Sequence, residues 1–190
     1  ELISEFSRYN ICMIIQREDY LNRLKISIGR SPVTALLGPR QCVKTTLARQ
    51  LVNQKEATFF DIESVPDQRR LQNPELILGN LTGLVVLDEI QAMPQLFQVL
   101  RVLVDRPENQ ARFLTLGSAS PEIIKSASET LAGRIEFIEI QGFALSETGT
   151  DSWESLWLRG GFPRSFLANT NEDSLAWREG FIRTFLERDI

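Results

Sequence analysis

Gly38-Pro39-Arg40-Gln41-Cys42-Val43-Lys44-Thr45, with Thr46 behind it, is the stretch whose reading decides the fold. It follows a short apolar run, Val33 to Leu37, bounded by Pro32 and Gly38, and it leads into residues with a helical pattern, Thr45 to Val52. A buried strand that breaks at a glycine and hands over to a helix is where a phosphate-binding loop belongs. Main-chain N–H groups at the helix start wrap a phosphate, a lysine reaches the outer phosphate oxygens, and a hydroxyl ligates magnesium. Gly38, Lys44 and Thr45 hold those three places, so residues 38–46 are the candidate nucleotide-binding loop and Thr45 a candidate magnesium ligand.

The pattern G-x-x-x-x-G-K-[ST] is broken, because Val43 stands where a second glycine belongs. Glycine serves there because the backbone approaches phosphate closely in a conformation that a Cβ makes costly. A left-handed backbone costs a β-branched residue about 1–2 kcal/mol. Each 1.4 kcal/mol is about tenfold in affinity. Weakened nucleotide binding is the expectation.

Downstream, Leu84-Val85-Val86-Leu87-Asp88-Glu89 is an apolar run ending in two carboxylates, 44 residues beyond Lys44. Alone such a run is more often a sheet edge meeting solvent; after a phosphate loop, in that order, it reads as a Walker B strand. Asp88 would hold magnesium directly or through water, and Glu89 would polarise the attacking water. Phe113-Leu114-Thr115-Leu116-Gly117-Ser118 repeats the logic, with a buried strand emerging at a small polar residue. In ATPases of the ASCE type such a strand lies between the Walker A and Walker B strands and its polar tip senses the γ-phosphate. Ser118 is the candidate; the competing reading is that Gly117-Ser118 makes a turn and caps a helix near Pro121. Arg134 and Arg164, beside glycine-shaped turns, are the candidates for an arginine that stabilises the transferring phosphate, often across a subunit boundary. Trp153, Trp157 and Trp177 read as packing residues rather than base-stacking ones.

Short apolar runs recur at Val33–Leu37, Ala57–Phe60, Leu84–Leu87, Phe113–Leu116 and Ile135–Ile140, with helical signals between them. This alternation predicts an α/β fold, a parallel five-stranded sheet flanked by helices on both faces. Leu21, Leu24 and Ile28 mark a helix before the first strand, Ser64-Val65-Pro66-Asp67 a capped helix start, and Leu96, Val99, Leu100 and Leu103 an apolar stripe. A C-terminal helical segment from about Asn171 places Leu175, Ile182, Phe185 and Leu186 on one face. Residues 1–12, ahead of Met13, read as a leader outside the fold; the ATPase core is expected over 13–158 and a helical segment leading to a further domain over 159–190.

The 190 residues, 43% hydrophobic and 24% charged, are ordinary for a globular domain. No apolar run reaches the ~18 residues of a membrane helix, and no membrane role is expected. A net charge of -4 argues against a surface dominated by nucleic-acid phosphate contacts. The absence of histidine excludes Ser-His-Asp and Cys-His chemistry and every histidine-containing metal site. Two cysteines, Cys12 and Cys42, form neither a disulfide framework nor a zinc pattern, which points to a reducing cytoplasm.

Gly38-Pro39-Arg40-Gln41, Lys44-Thr45-Thr46-Leu47-Ala48, Leu87-Asp88-Glu89-Ile90-Gln91, Gly117-Ser118, Leu131-Ala132-Gly133-Arg134, Gly160-Gly161-Phe162-Pro163 and Phe185-Leu186-Glu187-Arg188-Asp189-Ile190 together, in this order, resemble a prokaryotic family of AAA-type P-loop ATPases. The resemblance implies an ATP-binding, magnesium-using domain followed in full-length members by a C-terminal domain of unknown function. Members usually have glycine where this chain has Val43. Three readings follow: an ATP hydrolase with Lys44, Glu89, Ser118 and Arg134 as its catalytic set and Thr45 and Asp88 on magnesium; a degenerate, nucleotide-free scaffold or protein-interaction module; and, against the charge, a nucleic-acid-associated module. The first is compatible with a homo-oligomer and with a protein partner.

Overall fold

The computed structural model describes residues 15–52 and 57–186. The leader read at 1–12 and the motif residues Glu187 to Ile190 lie outside the described residues. The chain groups into two compact units, one of residues 18–40 and 44–140, the other, in its described part, of residues 15–17, 41–43 and 141–186.

The first unit opens with α1 (Glu18–Arg30), which buries Leu24, Ser27 and Ile28. Burying Leu24 and Ile28 stabilises by about 1.5–3 kcal/mol each. Glu18 and Asp19 in the first turn and Arg30 in the last suit the helix dipole. Pro32 stops the helix and β1 (Val33–Leu37) follows, buried at all five positions. The Ser27 and Thr34 hydroxyls share a buried hydrogen bond of 2.9 Å that fixes the helix on the strand.

Beyond β1 the chain alternates: α2 (Lys44–Val52), β2 (Ala57–Asp61), α3 (Val65–Arg70), α4 (Pro74–Gly79), β3 (Gly83–Asp88), a 3-10 turn over Ile90–Ala92, α5 (Leu96–Val104), β4 (Ala111–Gly117), α6 (Pro121–Thr130) and β5 (Ile135–Glu139). The five strands form one sheet in the order β2-β3-β4-β1-β5, every pairing parallel. The strand expected between the phosphate-loop strand and the acidic one is β4, paired to both. The stripe on α5 buries Leu96, Leu100 and Leu103 and adds Phe97. These side chains join Phe60, Val85, Leu87 and Phe113 in one hydrophobic core. Ser64 occupies the N-cap of α3 in extended backbone, without the side-chain cap bond its sequence predicts.

Parallel strands bring all their C-terminal ends to one edge of the sheet. Leu37 pairs with Gly117, Leu87 with Thr115, and Asp61 with Asp88. The phosphate loop, the acidic pair and Ser118 therefore leave the sheet at the same edge.

The second unit contains α7 (Leu145–Thr148), a 3-10 turn over Thr150–Ser152, α8 (Trp153–Arg159), α9 (Pro163–Phe166), α10 (Asn171–Phe181) and a π turn over Ile182–Leu186. The Thr170 hydroxyl caps α10 by accepting from the Asp173 N–H at 3.0 Å. Arg17, 2% exposed, staples the unit's start: it donates to both oxygens of Glu147 at 2.6 and 2.9 Å and to the Gln141 carbonyl at 2.8 Å. The Gly160-Gly161 break serves a close backbone approach, since a Cβ on Gly142 would stand 2.6 Å from the Gly161 carbonyl carbon.

The sheet-bearing unit closes at Ile140, and residues 141–158, expected in the ATPase core, group by contact with the C-terminal helices. Two expectations are corrected by burial. Leu175 and Ile182, read with Phe185 and Leu186 as one apolar face of the last helix, are 50% and 47% exposed. Trp177 and Phe181 take that place, packed on Phe162 with ring centroids 5.8 and 5.1 Å away, because aromatic rings bury more surface. Of the three tryptophans only Trp177 packs in this way; Trp153 and Trp157 on α8 are exposed.

Candidate nucleotide-binding site

Lys44 is the first residue of α2 and is 6% exposed. Its ammonium donates to the carbonyls of Gly38 at 3.0 Å and Pro39 at 2.9 Å. Among the described residues no carboxylate lies within ion-pair distance of it. An ammonium carries three donors, and a buried charge balanced only by neutral carbonyls favours an anion at its remaining donor. Thr45, next on the helix, donates its hydroxyl to Asp88 Oδ2 at 2.7 Å, joining the loop to the tip of β3. Asp88 is buried, and its Oδ1 accepts the Glu89 N–H at 3.0 Å. Burial pushes the Asp88 carboxyl up to about 6; the Thr45 hydroxyl bond works against this, and the charges of Glu89 and Asp61 add to it.

The loop backbone is left-handed at Gln41 (φ 63°) and again at Val43 (φ 68°). Val43 thus occupies the conformation that glycine would adopt without cost. Arg40 and Gln41 are exposed, Cys42 is buried and Thr46 half-buried. Glu89 is the third residue with positive φ and no glycine, at φ 57° and ψ 48°. Its Oε2 accepts a hydrogen bond from the side-chain amide of Gln91. The Gln91 Oε1 in turn accepts the Ser118 N–H at 3.3 Å, and the Gly38 N–H reaches the Gly117 carbonyl at 3.3 Å. The helix cap once open to Ser118 belongs to Ser120, whose hydroxyl accepts the Ile123 N–H at 3.3 Å.

Lys44, Thr45, Asp88, Glu89 and Ser118 are thus gathered at one sheet edge, and Arg134 is not. It precedes β5, its carbonyl accepting the Val33 N–H at the opposite end of β1. Five strand residues, roughly 16 Å, separate the two ends. Its guanidinium is engaged by Asp105 at 2.6 and 2.9 Å and by the Ala132 carbonyl. Within this chain the catalytic place expected of Arg134 is not served. Arg164 is exposed on α9 of the second unit. Sequence reasoning gave no role to Gln91 or Asp61. Gln91 lies inside the quoted Leu87–Gln91 motif, so its signal was a polar residue two positions past the acidic pair. Asp61 needed the strand register, which places it opposite Asp88.

Hard oxygen donors paired at 2.7 Å beside a buried ammonium fit magnesium and a polyphosphate. A parallel sheet with a strand inserted between the phosphate-loop strand and the acidic strand, a lysine-threonine helix start and a carboxylate pair define a P-loop NTPase of the ASCE class. The family model described as "AAA domain" matches residues 30–149, and one described as "Domain of unknown function (DUF8612)" matches 150–190. The chain belongs to the AAA domain family. It is 52% identical over 179 residues to the uncharacterized proteins Rv2008c of Mycobacterium tuberculosis and Mb2031c of Mycobacterium bovis, covering 94% of this chain and 41% of each relative. The chain thus spans less than half the length of these relatives. Among solved structures, the Walker-type ATPase of Pyrococcus abyssi superposes with a TM-score of 0.63 at 16% identity, over 92% of this chain and 75% of that one. At that identity the likeness establishes the fold.

Proposed function

We propose that this domain binds ATP with magnesium and hydrolyses it, at a rate and affinity lowered by Val43. The observation that carries the reading is the Thr45–Asp88 contact of 2.7 Å beside the uncompensated ammonium of Lys44. Lys44 holds the outer phosphate oxygens. Thr45 and Asp88 would hold the metal, which would supply charge neutralisation at the phosphates. Glu89 accepts a hydrogen bond from the attacking water and orients it, and Ser118 donates to the γ-phosphate from the tip of β4. The left-handed residues at 41 and 43, with Cys42 between, support a concave run of main-chain N–H groups suited to phosphate. Among the described residues no helix is long and apolar enough to cross a membrane; the reading places the domain in the cytoplasm. Arg134, at the far end of β1, would reach only a phosphate held by a second copy.

The test is ATP affinity by calorimetry, with and without magnesium, for the parent and Val43→Gly. The expected result is magnesium-dependent binding in both, tighter in the variant. Absence of binding in both sinks the proposal. A degenerate scaffold is the second reading, favoured by the left-handed Val43. It predicts no nucleotide-induced rise in melting temperature, whereas a ligand at about 100 times its Kd adds about 2.7 kcal/mol. A nucleic-acid-associated role would show as a steeply salt-dependent affinity for DNA.

A further inference from the structure

We propose that Gln91 is the positioning residue that fixes Glu89 and ties it to the γ-phosphate-facing tip of β4. This rests on the nucleotide reading above. The side-chain amide of glutamine presents a donor and an acceptor in one rigid plane, and both are used. The amide nitrogen donates to Glu89 Oε2, and the amide oxygen accepts the Ser118 N–H at 3.3 Å. Ionised glutamate at 91 would have no donor and would repel Glu89, and methionine would keep the volume and lose both bonds.

Three further features hold this bridge in place. Ile90, fully buried, anchors the 3-10 turn that carries Gln91. Glu89 keeps a left-handed backbone, so its carboxylate leaves β3 in a direction an ordinary strand end would not give. The tip of β4 is bare where the glutamine passes: a Cβ on Gly117 would stand 2.9 Å from Gln91 Oε1 and 3.1 Å from Ile90 Cγ2. The same Gly117 accepts the Gly38 N–H at the entrance of the phosphate loop. With Oε2 held by the amide, Oε1 of Glu89 is left to orient water. A shift of Ser118 toward a phosphate reaches Glu89 through one side chain.

The experiment measures Mg-ATP affinity, kcat and melting temperature for Val43→Gly alone and combined with Gln91→Met, Gln91→Glu or Glu89→Gln. The expected result for both Gln91 variants is a kcat about 10–100-fold lower with affinity within about twofold and an unchanged nucleotide-free melting temperature. Gln91→Met should add nothing further in the Glu89→Gln background, because the two residues act as one unit. Turnover equal to that of Val43→Gly overturns the inference alone. So does a loss of turnover matched by lost affinity or a lowered melting temperature, the pattern of a purely structural contact. If Val43→Gly itself neither binds nor turns over ATP, the nucleotide reading has failed and the inference falls with it.

Discussion

Val43 carries a cost that glycine would not, and the cost is local. Its φ of 68° strains a β-branched residue by about 1–2 kcal/mol. On the nucleotide reading, Val43→Gly removes this strain and the valine methyls together and should bind Mg-ATP more tightly than the parent, read by calorimetry. Glu89→Gln keeps shape and size and removes the negative charge, so it should bind Mg-ATP as the parent does and turn it over at least about a hundredfold more slowly. Asp88 titrates in a useful window. Its folded value, about 6, lies above the ordinary 3.8, so the folded chain holds this proton more tightly than the unfolded chain. Between those values stability falls as pH rises, by about 3 kcal/mol in total, and the contribution is complete only below the unfolded value. Asp88→Asn removes that slope. Denaturant titrations of the nucleotide-free proteins at pH 4 and pH 7 should therefore show the variant gaining on the parent as pH rises. On the nucleotide reading Asp88 ligates magnesium as the carboxylate, so Mg-ATP affinity should weaken toward acid pH.

At the level of elements, the central strands β1, β3 and β4 were legible because each is a short apolar run bounded by breakers, and burial on both faces leaves little room for a polar residue; the edge strands β2 and β5 are half-buried and were legible from their apolar positions alone. The α5 stripe was legible for the same reason. The last helix was not, since Leu175 and Trp177 both offer apolar surface and periodicity alone cannot rank them. Which face turns inward was settled by the rings of Phe162 and Phe181. Ser120 capping α6 in place of Ser118 is a shift of two residues, inside the range where local signals compete. Gly117 illustrates an element end shaped by its neighbour. Gly117→Ala should cost about 1–3 kcal/mol in urea denaturation, because its Cβ would press on Gln91 and Ile90. Unchanged stability would mean that the turn after β3 yields without cost.

Across the whole molecule, the two units are held by different means. The sheet-bearing unit rests on a continuous apolar core. The C-terminal unit leans on polar staples, Arg17 foremost, with its guanidinium spread over Glu147 and the carbonyls of Gln141 and Gly142. Removing one partner of such a buried pair leaves an unbalanced charge. Arg17→Ala should destabilise by about 3–5 kcal/mol and raise hydrogen exchange across 141–166 ahead of the sheet. Uniform exchange would show the staple to be dispensable.

The chain's own residue order determined the class of fold and most of the candidate site. Alternating apolar runs compel a parallel sheet, and a lysine-threonine pair at a helix start has few other uses beside an acidic strand end. Only tertiary structure decided the rest, for reasons of distance. Parallel register carried Arg134 to the far end of β1, and it set Asp61 opposite Asp88. The Gln91–Ser118 contact that joins Glu89 to Ser118 spans 27 residues of sequence, and no local pattern records a contact that exists only once β3 and β4 lie side by side.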